Sequence, residues 1–210
     1  MSSVETRSDW ADPGALGFAP LAGINIVFAG VFLHWWGSEA YVPLVAVVGF
    51  VGGICQLLTG LIGLQRDDAC GGTLMAAFGM LFMWGPGMML VLHKTGVAGA
   101  LDPLFGAWNL FLGVLLATWS IALVTKPWFE FLIGPYGGLT LVAAGLHHVV
   151  GLDAVVPGVL FLGLFAWGMY MLAHSLGRMS GIAVPLGRPV SEIFGVGDGG
   201  AVARQPASGD

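Results

Sequence analysis

Six long apolar runs, joined by short polar connectors, make up most of this chain. Each run is about 20 residues long, and at a rise of about 1.5 Å per residue such a helix crosses the roughly 30 Å hydrocarbon core of a bilayer. Strands of an outer-membrane barrel would instead be about 10 residues long with alternating polarity. The sequence therefore predicts an all-α integral membrane protein with six transmembrane helices. These helices are Gly17–Trp36, Tyr41–Leu64, Gly72–His93, Leu104–Val124, Trp128–Val150 and Pro157–Leu176.

The composition supports this class. Hydrophobic residues make up 57% of the chain and charged residues 9%, with a mean hydropathy of +0.87, whereas soluble domains carry about 25% charged residues. The polar stretch Ser2–Asp12 before the first run is not a basic signal-peptide region, so we interpret that run as a retained span. Cys55 and Cys70 form no disulfide framework or metal-binding spacing.

The basic residues predict the orientation of the helices. With six spans, both termini share one side of the membrane with the second and fourth connectors, and that side carries six of the seven basic residues. By the positive-inside rule both termini are cytoplasmic, in a multi-pass protein of the cytoplasmic (inner) membrane. We expect a cytoplasmic segment 1–15, a transmembrane domain 16–180 and a cytoplasmic tail 181–210 with a disordered end. The six basic residues are Arg7, Arg66, Lys126, Arg178, Arg188 and Arg204, and Lys94 lies opposite.

No Asp, Glu, Lys or Arg lies in the central half of any span; Glu130 lies near the inner end of the fifth. Ion-driven pumps and proton-coupled carriers usually place an ionisable residue at mid-depth, so a carboxylate relay is disfavoured. The pattern fits a passage for something small and uncharged or weakly acidic. It also fits a membrane subunit that transports nothing.

Gln56 is the most unusual residue of the second span, in the run GFVGGICQLLTG. Glycines four residues apart, as at Gly49 and Gly53 and again at Gly134 and Gly138, let helix backbones approach closely. A long amide beside such glycines either forms an interhelical hydrogen bond, worth about 0.6 kcal/mol, or lines a narrow polar passage. The spacing leaves both interpretations open.

Four histidines lie near the predicted outer face: His34, His93, His147 and His148. Such a group can hold a metal ion or make a pH-sensitive mouth. No pair has the i, i+4 spacing that puts two ligands on one helix face, and adjacent residues point about 100° apart. We therefore expect neither a metal ion nor a cofactor, and treat His147 and His148 as candidates for a pH-sensing mouth.

The sequence contains no Ser–His–Asp, Cys–His or HExxH pattern and no phosphate-binding loop. A basic patch that would bind nucleic acid is also missing from the sequence. We therefore predict that the protein is not an enzyme and has no nucleic-acid partner.

Several stretches resemble one known family. They are Gly49–Gln56 with Gly60, Phe78-Gly79 where the family usually has Tyr-Gly, Asp12–Phe18 as a variant of an Asn-Pro-Ala-Pro-Leu-Gly-Leu signature, and Ala183–Gly187 after the sixth helix. The family is that of the acetate uptake transporters, which includes bacterial succinate–acetate permeases and fungal acetate and ammonia-export proteins. The likeness covers roughly residues 12–188.

The resemblance implies a homo-hexamer in which each protomer passes acetate or a similar short monocarboxylate, by channel-like or proton-linked movement. By motif position the family's constriction corresponds to Leu21, Phe78 and Gly137, where a phenylalanine, a tyrosine and a bulky apolar residue are replaced. These replacements imply a wider and more apolar opening. A family asparagine corresponds to His148, which would make the outer mouth titratable.

A mechanism follows as a hypothesis. Without lysine or arginine in the path, a carboxylate is held by neutral donors such as Asn25 and Gln56, or it crosses as the neutral acid. We expect Gly85-Pro86-Gly87 and Gly134-Pro135 to interrupt their helices and offer unpaired N–H groups to an anion. Two alternatives remain: a non-transporting subunit of a larger membrane complex, with or without a metal, and a channel for ammonia or another small neutral solute.

Overall fold

A computed structural model describes residues 11–96 and 101–195. Six of its helices are long and apolar enough to cross a membrane, so the predicted all-α, six-span architecture is confirmed. Four of them are uninterrupted α-helices: α1 (Gly14–Phe32), α2 (Ser38–Gln65), α4 (Leu101–Leu123) and α6 (Val155–Ser180). Helix α3 consists of Ala69–Ala77, Phe78–Trp84 and Gly85–Lys94, and α5 of Trp128–Phe131, Ile133–Gly137 and Gly138–Val150. A short helix, α7, covers Val190–Ile193.

Helix α1 ends earlier than predicted. Its last residue is Phe32 rather than one near Trp36, because His34 adopts a left-handed backbone conformation with φ of 56°. The Trp35 N–H then donates to the Gly30 carbonyl at 2.9 Å and the His34 N–H to the Val31 carbonyl at 3.3 Å. These are the two hydrogen bonds of a Schellman motif, which satisfies the last carbonyls of a helix while turning the chain away.

The predicted interruptions at the Gly-Pro sites are wrong, because the chain stays helical through both. Each site lies in or directly after a π-helical segment, Phe78–Trp84 in α3 and Ile133–Gly137 in α5. In α3 the Gly85 N–H donates to the Met80 carbonyl, five residues back. The next residue, Pro86, has no N–H to give to Leu81, and the Trp108 indole Nε1 donates to that carbonyl instead at 3.1 Å.

Glycines set the spacing between the helices. A Cβ added to Gly53 would lie 2.9 Å from the Gly79 carbonyl of α3, and one added to Gly138 would lie 2.9 Å from the Gly113 carbonyl of α4. The glycine-rich faces of α2 and α5 therefore lie directly on the backbones of α3 and α4. Helix α1 packs most extensively against α6 and α2.

Residues 182–195, which we call the C-terminal strap, fold back onto the connector between α4 and α5 and onto the start of α5. The Trp128 N–H donates to the Arg188 carbonyl at 2.9 Å, and the Ser191 N–H donates to the Val124 carbonyl at 2.9 Å. The predicted disordered end of the tail lies in residues 196–210, outside the described residues.

An even number of spans puts the start of α1 and the end of α6 on the same side of the bundle. We call this side the termini face and the opposite side the far face. Which of them is cytoplasmic stays a prediction.

Candidate transport path

A cavity of about 310 Å³, the vestibule, opens into the bundle from the termini face. Its inner end is apolar and formed by Leu21, Phe78 and Ile133. Its outer wall is polar. The described charged and titratable side chains of that wall are Asp12, Arg66, Asp68, Lys126, Glu130, His174 and Arg178.

The vestibule charges are held mainly in pairs across neighbouring elements. Arg178 of α6 lies 3.3 Å from Asp12, and Lys126 of the connector between α4 and α5 lies 3.4 Å from Asp68. Asp68 also caps α3 by accepting a hydrogen bond from the Gly71 N–H at 3.1 Å. With positive and negative side chains interleaved, the mouth offers polar contacts to a solute without a strong attraction for one sign of charge.

A second, smaller cavity, the chamber, continues the vestibule toward the middle of the bundle. Its volume is about 40 Å³, room for roughly one to three water molecules. Leu21, Phe78 and Ile133 line both cavities, so these three apolar side chains form the junction between them. The chamber's other described lining residues are Ile24, Asn25, Phe28, Phe82, Met83, Leu116, Gly137, Leu141, Phe161 and Leu164.

Four of the five path residues predicted from the sequence meet at this chamber. Leu21 and Asn25 come from α1, Phe78 from α3 and Gly137 from α5. Asn25 is the one polar side chain among the described residues of the lining. Its Nδ2 donates to the Leu21 carbonyl at 2.8 Å, which leaves one N–H of that amide and its oxygen for a solute.

Gln56, the fifth predicted path residue, lies elsewhere. It is fully buried, and it does not occur among the described residues that line the vestibule or the chamber. Its Nε2 donates to the Gly17 carbonyl of α1 at 3.2 Å, and its Oε1 has no hydrogen-bond partner. The amide thus joins α2 to α1 four residues before Leu21. Its role in lining the path stays a prediction.

The junction between the two cavities coincides with the start of both π-helical segments. Phe78 begins the segment in α3 and Ile133 the one in α5. A π-helical turn rotates the following side chains relative to a regular α-helix, and such turns occur frequently at functional sites. Here both segments contribute side chains or backbone to the lining of the chamber.

Aromatic rings close the chamber toward the far face. Phe28 and Phe161, which both line the chamber, stack at 5.3 Å, and Phe32 stacks on Phe161 at 5.6 Å. Beyond them His148 packs against Phe32 and Phe105, with ring centroids 6.0 and 5.1 Å away. The predicted mouth histidines therefore lie beyond the aromatic rings and not in the chamber.

His147 is held by a hydrogen bond to the backbone of the connector that follows α5. His147 Nδ1 donates to the Leu152 carbonyl at 2.6 Å, which fixes its ring against the connector to α6. Within the described residues, no group of three or more His, Cys, Asp or Glu side chains is placed to hold a metal ion.

Comparison with known proteins identifies the family. The sequence model of the GPR1/FUN34/yaaH family matches residues 2–126, more than half of the chain. The chain belongs to this family. The family resemblance inferred from the residue motifs is thereby confirmed.

The fold has a solved counterpart. The structure of the bacterial acetate channel SatP matches with a TM-score of 0.74 and 18% sequence identity, over 84% of this chain and 98% of that chain. No curated protein matches the sequence.

Sequence reasoning missed nine of the thirteen described lining residues of the chamber, and Leu116 is one of them. Leu116 of α4 is 1% exposed and lines the chamber beside Gly137. A Cβ added to Gly137 would lie 2.8 Å from Leu116 Cδ2, so leucine occupies the space beside the glycine. Leu116 is one leucine among many in an apolar span, and only the packing of α4 on α5 distinguishes it.

Proposed function

We propose that this chain is a channel or transporter that passes acetate or a similar short monocarboxylate across the cytoplasmic membrane. The observation that carries the proposal is the meeting of Leu21, Asn25, Phe78 and Gly137 at one small chamber below an open vestibule. Membership of the GPR1/FUN34/yaaH family supports it. So does the likeness of the fold to a protein described as a bacterial acetate channel.

The path favours a small solute that sheds its charge or most of its water. A solute enters the vestibule among paired charges and then passes the apolar side chains of Leu21, Phe78 and Ile133. Burying a carboxylate without a partner is costly, and Asn25 supplies the one neutral polar contact of the described chamber lining. The neutral acid therefore crosses more easily than the anion. Weak binding of this kind also lets the solute leave again.

Gln56 contributes indirectly in this proposal. Its hydrogen bond to the Gly17 carbonyl holds α1 against α2 one turn before Leu21. The amide therefore contacts the backbone of α1 near the path rather than the solute. In this proposal His147 and His148 are the candidate pH-sensing residues of a mouth on the far face.

The orientation and assembly belong to the same proposal. The excess of basic residues on the termini face favours a cytoplasmic location for both ends, and hence an inner-membrane protein whose vestibule opens to the cytoplasm. A homo-hexamer would cover part of the exposed apolar faces of α2 and α4, where Val51, Leu58, Phe111 and Val114 are at least 46% exposed. The mass of the protein in lipid nanodiscs tests the hexamer.

Uptake of labelled acetate into liposomes that contain the purified protein tests the proposed function. We expect uptake faster than into protein-free liposomes at the same pH and lipid composition, because the neutral acid also leaks through lipid. Uptake no faster than this leak would refute the proposal.

A second candidate solute is ammonia or another small neutral molecule. The nearly apolar chamber with a single amide favours it, since such a lining does not require a negative charge. Ammonia flux that acetate does not inhibit, in liposomes showing no acetate uptake above leak, would support this candidate over the first.

A further inference from the structure

We propose that Leu116 sets the width of the narrow path in this chain, and thereby the largest acid that it passes. Leucine on α4 takes the place of a side chain that α5 does not provide at Gly137. The transport test of this role rests on the proposed function. The cysteine-labelling test does not, because it needs no substrate.

The first observation is the contact between the two residues. An ideal Cβ at Gly137 would lie 2.8 Å from Leu116 Cδ2, 3.2 Å from Ile133 Cδ1 and 3.7 Å from Leu116 Cγ. A distance below 3.0 Å is closer than real Cβ atoms approach, so the end of the leucine side chain occupies the position of the missing group. Leu116 is 1% exposed and lines the chamber together with Gly137.

The second observation explains why the leucine reaches so far. Helices α4 and α5 lie backbone to backbone: a Cβ on Gly113 would lie 2.8 Å from the Gly138 carbonyl, and a Cβ on Gly145 would lie 2.9 Å from the Gly106 carbonyl. Such close approach between small residues fixes the register of two membrane helices. Leu116 follows Gly113 by three residues and therefore lies on the same side of α4.

The third observation is where the contact lies along the path. Gly137 and Leu116 line the chamber just beyond the three residues that it shares with the vestibule, Leu21, Phe78 and Ile133. A solute that passes Leu21 and Phe78 enters a chamber whose wall includes Leu116. Shortening Leu116 enlarges the opening without changing a polar contact or a charge.

The test compares acids of increasing length. Liposomes with the wild-type protein, with Leu116→Ala or with Leu112→Ala are assayed for uptake of acetate and of butyrate, after subtraction of the protein-free leak. Leu112 is the matched control, because it is also a leucine of α4 with 1% exposure but does not occur among the described lining residues. We expect the ratio of butyrate to acetate uptake to rise at least about tenfold in Leu116→Ala, the size of effect typical of a methylene-scale pocket change. An unchanged ratio, or an equal rise in Leu112→Ala, would overturn the inference.

An exchange of side chains between α4 and α5 tests whether the width of the path, and not a general loosening of the helix packing, changes the uptake ratio. Gly137→Leu alone should block uptake, because its side chain collides with Leu116. The double variant Leu116→Ala with Gly137→Leu puts the bulk back from the other helix, and its uptake ratio should return to within about twofold of the wild type. A double variant that keeps the high ratio of Leu116→Ala would contradict the proposal.

Cysteine labelling tests the width without any substrate. In a Cys55→Ser, Cys70→Ser background, Asn25→Cys places a thiol in the chamber, beyond Leu21 as seen from the vestibule. A membrane-impermeant methanethiosulfonate reagent is applied outside the liposomes, and labelling is scored only on molecules whose C-terminal tag is also outside. We expect Leu116→Ala, but not Leu112→Ala, to speed labelling at least about tenfold.

The two readouts distinguish the two failures. Faster labelling in Leu116→Ala without wild-type uptake of any acid would refute the proposed function and leave Leu116 as the width-setting residue. Acetate uptake by the wild type, with the uptake ratio and the labelling rate unchanged in Leu116→Ala, would refute the role of Leu116 and leave the proposed function.

Discussion

Replacing Gln56 with methionine separates the two roles that a buried amide can have in this bundle. Methionine is similar in length and unbranched, and it fills irregular gaps with little strain. The substitution removes the hydrogen bond from Gln56 Nε2 to the Gly17 carbonyl and also removes Oε1, which is buried and has no partner.

The expected change in the free energy of unfolding is small and favourable. The lost hydrogen bond is worth about 0.6 kcal/mol between membrane helices. An unpaired buried polar atom costs about 1–3 kcal/mol, and this cost disappears with the amide. The methionine variant should therefore be more stable than the wild type by roughly 0.5–2 kcal/mol.

The assay combines unfolding in mixed detergent micelles with acetate uptake into liposomes. We expect Gln56→Met to keep uptake within about threefold of the wild type, because a hydrogen bond of about 0.6 kcal/mol is worth less than a threefold change in an equilibrium. A variant that folds with at least wild-type stability but loses most of its uptake would refute this reasoning, since Gln56 would then touch the solute. A loss of more than about 1 kcal/mol of stability would refute the energetic part.

Three further predictions concern packing and the termini face. Gly53→Ala should destabilise the protein strongly, because the added methyl group overlaps the Trp84 ring. Gly23→Ala is the control: its methyl group would meet its nearest neighbour at 3.9 Å, so this variant should be as stable as the wild type. Thermal unfolding of both variants checks the prediction. Asp68→Ala should lower the free energy of unfolding by about 1 kcal/mol through the lost helix cap. Asp68→Asn keeps a capping oxygen and loses only a half-exposed ion pair worth under about 1 kcal/mol. Equal losses of stability for the two variants in chemical unfolding would contradict the capping role. Deleting residues 182–195 and everything after them removes the hydrogen bonds to the connector between α4 and α5, and faster proteolysis of that connector is expected; unchanged proteolysis would mean that the strap does not hold it.

The six spans could be predicted because their signal is local. Each is a continuous apolar run that needs no knowledge of its neighbours. The end of α1 could not be predicted so well, since the run stays apolar and aromatic past Phe32. There the backbone turn at His34 stops the helix.

The residues of the path could be predicted from the sequence only in part. Leu21, Phe78 and Gly137 were predicted through family motifs, and the structure places them in the lining of one chamber. Gln56 shows the limit of reasoning from a single helix, because the direction of its amide depends on which helix packs against α2. Leu116 shows the same limit more clearly, since nothing in the α4 sequence marks it.

The Gly-Pro segments illustrate how tertiary contacts override a local rule. Proline removes a backbone donor and usually breaks or kinks a helix. In α3 the π-helical register moves the missing bond to the Leu81 carbonyl, and the Trp108 indole of α4 supplies the donor. That compensation joins residues 27 positions apart and has no counterpart in the local sequence.

The most direct test of the proposed path is acetate uptake by a matched pair of variants, Asn25→Leu and Asn109→Leu. Both asparagines are buried, at 4% and 5% exposure, and both donate at 2.8 Å to the carbonyl four residues earlier. Asn25 lines the chamber, and Asn109 does not occur among its described lining residues.

We predict that acetate uptake by the wild type exceeds the protein-free leak. Asn25→Leu should lower this uptake at least about tenfold, because it removes a polar contact with the solute. Asn109→Leu removes no such contact and should leave uptake within about twofold of the wild type. Equal effects of the two variants, or wild-type uptake no greater than the leak, would contradict a path through this chamber.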